Sequence, residues 1–201
     1  RWRSGEYILP KNPYRGLAQQ LDAMPNGFPA TESGVELKLL AKIFTPEEAL
    51  LASEMRLTLE PAQVIAERAG TEPKWTRSTL KSMVRNGKIR VGRRDKALSF
   101  GLMPFVVGFY EEQLPRMDEE LALLFEEYYC EAQGAFTRYA PAVHRVIPVG
   151  EAVPADIDIY PYEQATELIE NAKAWGVRDC ICRLQQKLIG KGCDGPLESC
   201  L

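Results

Sequence analysis

Four of the five cysteines lie within the last 22 residues of this 201-residue chain, at Cys180, Cys182, Cys193 and Cys200. Four thiolates are the ligand set of a cubane iron–sulfur cluster or of a structural zinc site. The spacing lacks the paired C-x2-C knuckles of a zinc ribbon and differs from the bacterial ferredoxin run. These residues therefore predict a metal centre, and four reduced thiols or a disulfide pair are the alternatives.

The residues around Cys193 suit an inorganic centre. Three glycines and a proline flank it, namely Gly190, Gly192, Gly195 and Pro196. Backbone free of side chains can curl closely around such a centre and direct N–H groups at its sulfur atoms. Three nearby cations, Arg183, Lys187 and Lys191, would offset the net negative charge of the centre.

The remaining reactive side chains point to no catalytic site. His144 is the single histidine, which excludes centres that need two imidazole ligands. It has no cysteine or carboxylate at ligand spacing, so we predict a structural or exposed role. Cys130 falls in an apolar helical pattern and is predicted to be a buried core residue. We expect an electron carrier or a subunit of a redox complex rather than an enzyme.

A basic stretch precedes the cysteines by about a hundred residues. Residues 74–96 contain nine Lys or Arg and one acid, although the formal net charge is −3. Such a surplus suits contacts to nucleic-acid phosphates. The predicted partner face consists of Lys74, Arg77, Lys81, Arg85, Lys88, Arg90, Arg93 and Arg94. The alternatives are a solvated face, a docking face for an acidic redox partner, or one for the acidic segment of a second copy in a homodimer.

The elements that position this stretch are helices followed by a hairpin. Four helical patterns are visible: Val35–Ile43, a second segment that begins after the capping residue Thr45, Pro61–Gly70, and residues 74–85. Alternation of polar and apolar residues over 88–100 then predicts two paired strands. This order is typical of a winged helix-turn-helix, with a generic helical bundle as the alternative.

The predicted fold class is mainly α with small β elements (α+β). We expect an N-terminal arm at 1–34, a winged-helix-like domain at 35–104, a long linking helix in 105–138 and a cluster domain at 139–201 that begins with short edge strands. The longest uncharged run, residues 97–110, is too short for a membrane span. No signal peptide is visible, so we expect a cytoplasmic protein.

The residues around the four C-terminal cysteines also resemble a known family. The residues that carry the resemblance are Cys180-Ile-Cys-Arg183, Ile189-Gly-Lys-Gly-Cys-Asp194, Pro196, Glu198 and Cys200-Leu201. They resemble the 4Fe-4S ferredoxin-like iron–sulfur binding-domain proteins of anaerobes, as do Arg145–Val149 and the arm around Pro25–Pro29. The resemblance implies an N-terminal winged-helix-like domain and a C-terminal cluster domain in electron transfer, with the four cysteines as cluster ligands. Family members generally continue into a second cysteine-rich stretch, so we expect this chain to be a piece of a longer protein.

Three hypotheses follow. The first is a 4Fe-4S electron-transfer component that docks to a redox partner. The second is a winged-helix DNA-binding regulator that senses a cluster or the redox state. The third is a structural zinc protein with four cysteine ligands and a binding role.

Overall fold

The computed structural model describes residues 2–3, 6–7, 12–24, 26–94, 97–132 and 162–198. Helices predominate, and the sheets are a short hairpin and a three-stranded antiparallel sheet. This composition confirms the predicted α+β class. Three predictions concern residues outside the described ranges: the strands within 139–160, the role of His144 and the predicted ligand Cys200.

The first part of the chain contains a hairpin and three helices: β1 (Trp2–Arg3), β2 (Glu6–Tyr7), α1 (Tyr14–Asp22), α2 (Val35–Ile43) and α3 (Pro46–Ser53). The start of α3 is fixed by a capping box. The hydroxyl of Thr45 accepts the Glu48 N–H at 3.3 Å, and the Glu48 carboxylate accepts the Thr45 N–H at 2.9 Å. Helix α1 packs against α2 and α3 through its buried Leu17 and Leu21.

The next elements form a helix pair and the three-stranded sheet: β3 (Glu60–Pro61), α4 (Ala62–Ala69), α5 (Pro73–Arg85), β4 (Ile89–Arg94) and β5 (Ala97–Leu102). The strand order is β3-β5-β4, and both pairings are antiparallel. Gly70, with φ of 62°, ends α4 in the left-handed conformation that favours glycine. The predicted helices and hairpin of this region are therefore present.

The segment after β5 differs from its prediction. A single long helix was expected from about residue 105, and that expectation is wrong for its first half. Phe105–Phe109 forms an irregular turn in which Val106 is extended, and Glu111–Arg116 forms a 3-10 helix. Helix α6 (Glu119–Ala132) starts only after Asp118, whose carboxylate caps it by accepting the Leu121 N–H at 2.8 Å.

One hydrophobic core joins these elements, and it extends from Leu17 in α1 to Ile181. Its centre is aromatic, since Phe28 lies 5.1 Å from Phe105 and 4.9 Å from Tyr128 between ring centroids. Two further helices follow, α7 (Tyr162–Glu170) and α8 (Ile181–Leu188), and α8 packs against α6. Within the described ranges, every helix is too short or too polar to cross a bilayer.

Candidate functional site

Helix α5 carries a stripe of cations on its solvent face. Four exposed basic side chains follow each other at helical spacings of three and four residues, namely Lys74, Arg77, Lys81 and Arg85. The opposite face is buried through Thr76, Leu80 and Met83. The amphipathic pattern of the helix therefore places all four cations on one surface.

The N-terminus of α5 is held by Glu72. Its carboxylate accepts the N–H groups of Lys74 at 2.9 Å and Trp75 at 2.6 Å. These hydrogen bonds lower the pKa of Glu72 below its ordinary value. The cap fixes where the cationic stripe begins.

Strand β4 carries three further exposed arginines, with Arg90 and Arg94 on one side of the strand and Arg93 on the other. The guanidinium of Arg90 donates to the Leu57 carbonyl, and Arg94 Nη1 donates to the Leu59 carbonyl at 3.3 Å. Carbonyl partners orient an arginine but leave its charge uncompensated. Arg93 is also exposed. We call the seven exposed cations of α5 and β4 the basic face: Lys74, Arg77, Lys81, Arg85, Arg90, Arg93 and Arg94. None of them forms an ion pair with any described carboxylate.

Lys88 was predicted on this face, and the structure corrects that prediction. Its side chain is buried, and Nζ lies 2.5 Å from Oε2 of Glu48, the third residue of α3 and a member of its capping box. The same ammonium group lies 5.6 Å from the ring centroid of Phe44. Lys88 therefore joins the hairpin to α3 inside the protein and is not available to a partner.

A shallow groove of about 530 Å³ lies beside the basic face. Lys74 and Arg77 of α5 form one wall, and the start of α4 and strand β5 form the others, with lining residues Pro61, Ala62, Gln63, Pro73, Ala97, Leu98 and Phe100. The basic face thus borders an open surface between helix and hairpin.

The second candidate site is the cysteine segment, residues 178–198. Cys180 is buried at the N-cap of α8, Cys182 is exposed in the first turn, and Cys193 is exposed in the following loop. The Cys180 N–H donates to the Leu197 carbonyl at 2.6 Å, which closes the loop onto the start of α8. This closure brings Leu197, three positions before Cys200 in the sequence, to the helix end that carries Cys180 and Cys182.

The described cysteines do not form a ligand set in this arrangement. Cys180 lines a cavity of about 370 Å³ with Met103 and Gly108, whereas Cys193 lines a separate cavity of about 390 Å³. Throughout the described part of the chain, no group of three His, Cys, Asp or Glu side chains is placed to hold a metal ion. Cys180, Cys182 and Cys193 therefore form no metal site by themselves in this arrangement.

Two of the predicted cations lie beside Cys193. Arg183 donates to the Pro196 carbonyl, and a Cβ atom added at Gly195 would lie 3.4 Å from both Arg183 Cζ and Cys193 Sγ. Lys187 lines the same cavity. Lys191 instead pairs with Glu126 of α6 at 2.8 Å.

Glu126 anchors the cysteine segment, a role that no local signal in the sequence indicates. Its carboxylate accepts hydrogen bonds from Gln185 Nε2 at 3.1 Å, Gln186 Nε2 at 2.9 Å and Lys191 Nζ at 2.8 Å. The hydrogen bond from Lys191 is the main reason why the pKa of Glu126 lies below its ordinary value. Gln185 also donates to the Ala122 carbonyl at 3.2 Å.

Cys130 lies on α6 and is exposed, so the prediction of a buried core cysteine is wrong. It lies two positions after the buried Tyr128, which places it about 200° around the helix from that side chain.

The comparisons of this chain with protein-family models, with curated proteins and with solved structures give no match.

Proposed function

We propose that the protein binds duplex DNA through a winged-helix unit made of α3, β3, α4, α5 and the β4–β5 hairpin. The order helix, strand, helix, helix, hairpin supports this architecture, as does the sheet order β3-β5-β4. In such a unit, the second helix of the helix-turn-helix enters the major groove, and α5 takes that position. Its 13 residues span about 20 Å at 1.5 Å per residue.

The basic face is the observation that carries this proposal. Its cations lie on the two elements that would meet the duplex, and none of them forms an ion pair with a described carboxylate. In a chain of net charge −3 this separation of charge favours a localised polyanion contact over diffuse attraction. The logarithm of the binding constant falls linearly with the logarithm of the salt concentration, and each phosphate that a cation neutralises adds about 0.9 to the magnitude of this salt slope.

The experiment is a salt titration of binding to a fluorescent duplex of about 25 base pairs, followed by anisotropy. We expect the double variant Arg77→Ala with Lys81→Ala to bind at least tenfold more weakly and to lose about two units of salt slope. The matched control, Arg15→Ala with Lys38→Ala, removes the same charge from exposed positions on α1 and α2. Equal losses in the two double variants would contradict the proposal.

The second candidate function is that of a 4Fe-4S electron-transfer component that docks to a redox partner. The closure of the loop by the Cys180–Leu197 hydrogen bond supports it, because it draws the two ends of the cysteine segment together. The N-terminus of α8, which carries Cys180 and Cys182, also favours negative charge. A bound cluster would supply one-electron transfer, and the resemblance assigns its ligation to Cys180, Cys182, Cys193 and Cys200.

Metal and acid-labile sulfide analysis of anaerobically purified protein tests this second function. About four iron and four sulfide per chain support it, and Cys182→Ser is then expected to lower both, while Cys130→Ser leaves them unchanged. One zinc without sulfide would refute it and favour the structural zinc site with four cysteine ligands instead.

A further inference from the structure

Helix α6 carries two acids that flank an apolar residue on its solvent side. Glu119, Leu123 and Glu127 are exposed and follow each other at spacings of four residues, so they form one stripe along the helix. The buried Leu121 and Tyr128 lie on the opposite side. Among the described residues, neither glutamate of the stripe forms an ion pair. The α6 stripe, as we call these three residues, thus presents acids and an apolar side chain to solvent.

The groove beside the basic face has the complementary character. Its cationic wall consists of Lys74 and Arg77, and Leu98 on the β5 wall is 40% exposed. Most of its other lining is apolar and comes from prolines, alanines and Phe100. Leu123 of the α6 stripe is 52% exposed, and contact with Leu98 would remove apolar surface of both from water. The groove therefore offers an apolar contact next to cations, and the α6 stripe offers one next to acids.

The charges of the two surfaces have a similar spacing. Each glutamate of the α6 stripe lies four residues from Leu123, about 6 Å along the helix axis at 1.5 Å per residue. On α5, Lys74 and Lys81 lie three and four residues from Arg77, about 4.5 and 6 Å along the axis. If α6 lies along α5 with Leu123 in the groove beside Arg77, each glutamate therefore reaches the level of a cation.

We propose that this chain forms a two-fold dimer in which the α6 stripe of each copy docks on the groove and the basic face of the other. Charge complementarity argues for a second copy as the occupant, since among the described residues the basic face and the α6 stripe form no ion pair with each other within one copy. A two-fold dimer makes the contact twice, which compensates for the weakness of each exposed ion pair. The inference goes beyond DNA binding and stands without it. Because the dimer covers the cations of α5, it also keeps them from a duplex.

Sedimentation velocity of the full chain tests the association, with a reducing agent present to prevent disulfide-linked dimers. We expect dimers in about 50 mM salt, with a dissociation constant that rises at least tenfold in about 500 mM salt because salt screens exposed charges. A chain that stays monomeric at about 0.5 mM protein in the lower salt, or a dimer that salt leaves unchanged, would overturn the proposal.

Charge reversal identifies the two surfaces. The face variant is Arg77→Glu with Lys81→Glu, the stripe variant is Glu119→Lys with Glu127→Lys, and all four positions are exposed. Each variant alone sets like charges against each other, so we expect at least tenfold weaker self-association. An equal mixture restores opposite charges at both contacts, and its dissociation constant should return to within about threefold of that of the unaltered chain. A mixture that associates no more tightly than the separate variants would overturn the pairing.

The apolar contact is tested without a change in charge. Leu123→Gln is expected to weaken the dimer at least threefold, because a leucine side chain no longer enters the groove. The matched control is Leu168→Gln, at a 57% exposed position of α7, and it is expected to leave the dimer unchanged. Both positions are exposed, so neither change disturbs core packing. Equal dissociation constants in the two variants would overturn the docking of Leu123 in the groove.

The stripe variant also separates this proposal from DNA binding. It keeps every cation of the basic face, so it should bind the duplex at least as tightly as the unaltered chain while it self-associates more weakly. A stripe variant that dimerises as tightly as the unaltered chain would overturn the dimer, whatever its affinity for the duplex. If the unaltered chain binds no duplex, the proposed function fails, and sedimentation alone decides the dimer.

Discussion

Replacement of Lys88 by methionine is expected to destabilise the protein by about 3 kcal/mol. The side chains of Lys88 and Glu48 are 10% and 9% exposed, so both charges are largely removed from water. Loss of one partner of such a pair leaves a buried charge uncompensated and costs about 3–5 kcal/mol. Methionine occupies the volume of the lysine stem and leaves no large cavity, which favours the lower end of that range. The expected fall in Tm is roughly 6–12 °C for a chain of this size.

Thermal and urea unfolding followed by circular dichroism measure this loss. The double variant Lys88→Met with Glu48→Gln removes both charges, while the amide oxygen still accepts the Thr45 N–H at the cap of α3. We expect it to recover to within about 1 kcal/mol of the unaltered chain. The control Lys38→Met, at an exposed position, is expected to change stability by less than about 0.5 kcal/mol. A loss below about 1 kcal/mol in Lys88→Met, or a double variant no better than the single one, would refute the buried ion pair.

Three further predictions concern the turn after α5 and the anchor of the cysteine segment. Gly87 and Gly70 share a left-handed backbone, with φ of 66° and 62°. A Cβ atom added at Gly87 would lie 2.7 Å from Cβ of Glu112, whereas one added at Gly70 would have no neighbour within 4 Å. In urea unfolding, Gly87→Ala should therefore cost at least about 1 kcal/mol more than Gly70→Ala, and equal costs would contradict the close packing. Glu126→Gln should speed amide exchange in α8, whereas Glu127→Gln, at an exposed position, should not. Equal exchange rates in the two variants would show that Glu126 does not anchor the cysteine segment. The hydrogen bond from Lys191 lowers the pKa of Glu126 in the folded protein below the ordinary value of 4.5. The ionised Glu126 therefore stabilises the fold fully at a pH above 4.5, and this stabilisation is lost as the pH falls through the lower pKa of the folded state. Exchange in α8 measured down to pH 3 checks that sign, and the Glu126→Gln variant should lack this dependence.

Local chemistry explains which elements could be predicted from the sequence. Thr45 and Glu48 are three residues apart and satisfy each other's backbone groups, so the start of α3 needs no information from elsewhere in the chain. Gly70 ends α4 for a similar local reason. The cations of α5 recur every three or four residues, so their common surface follows from helical geometry alone.

The mistaken predictions have two causes. Some residues contact partners that are distant in the sequence, and at Cys130 the period of the helix was not applied to the residue itself. Nothing near Lys88 in the sequence indicates that its partner is Glu48, 40 residues earlier. A charged residue is predicted to be exposed unless such a partner is known. The apolar helical pattern predicted a buried Cys130, although a step of two residues from Tyr128 leads to the other side of the helix. Pro115 and the capping side chain of Asp118 were the local signals that α6 starts late.

The contacts that hold the cysteine segment against the body decide how readily this segment opens on its own. Its core contribution is Ile181, and its other described anchors are polar, among them Gln185 and Gln186 on Glu126 and Arg178 on Glu112. Hydrogen bonds and ion pairs of this kind contribute about 0.5–1.5 kcal/mol each, so the polar part of the docking amounts to a few kcal/mol. We therefore expect the cysteine segment to open locally at a lower free energy than the Leu17–Tyr128 core, to which it adds Ile181.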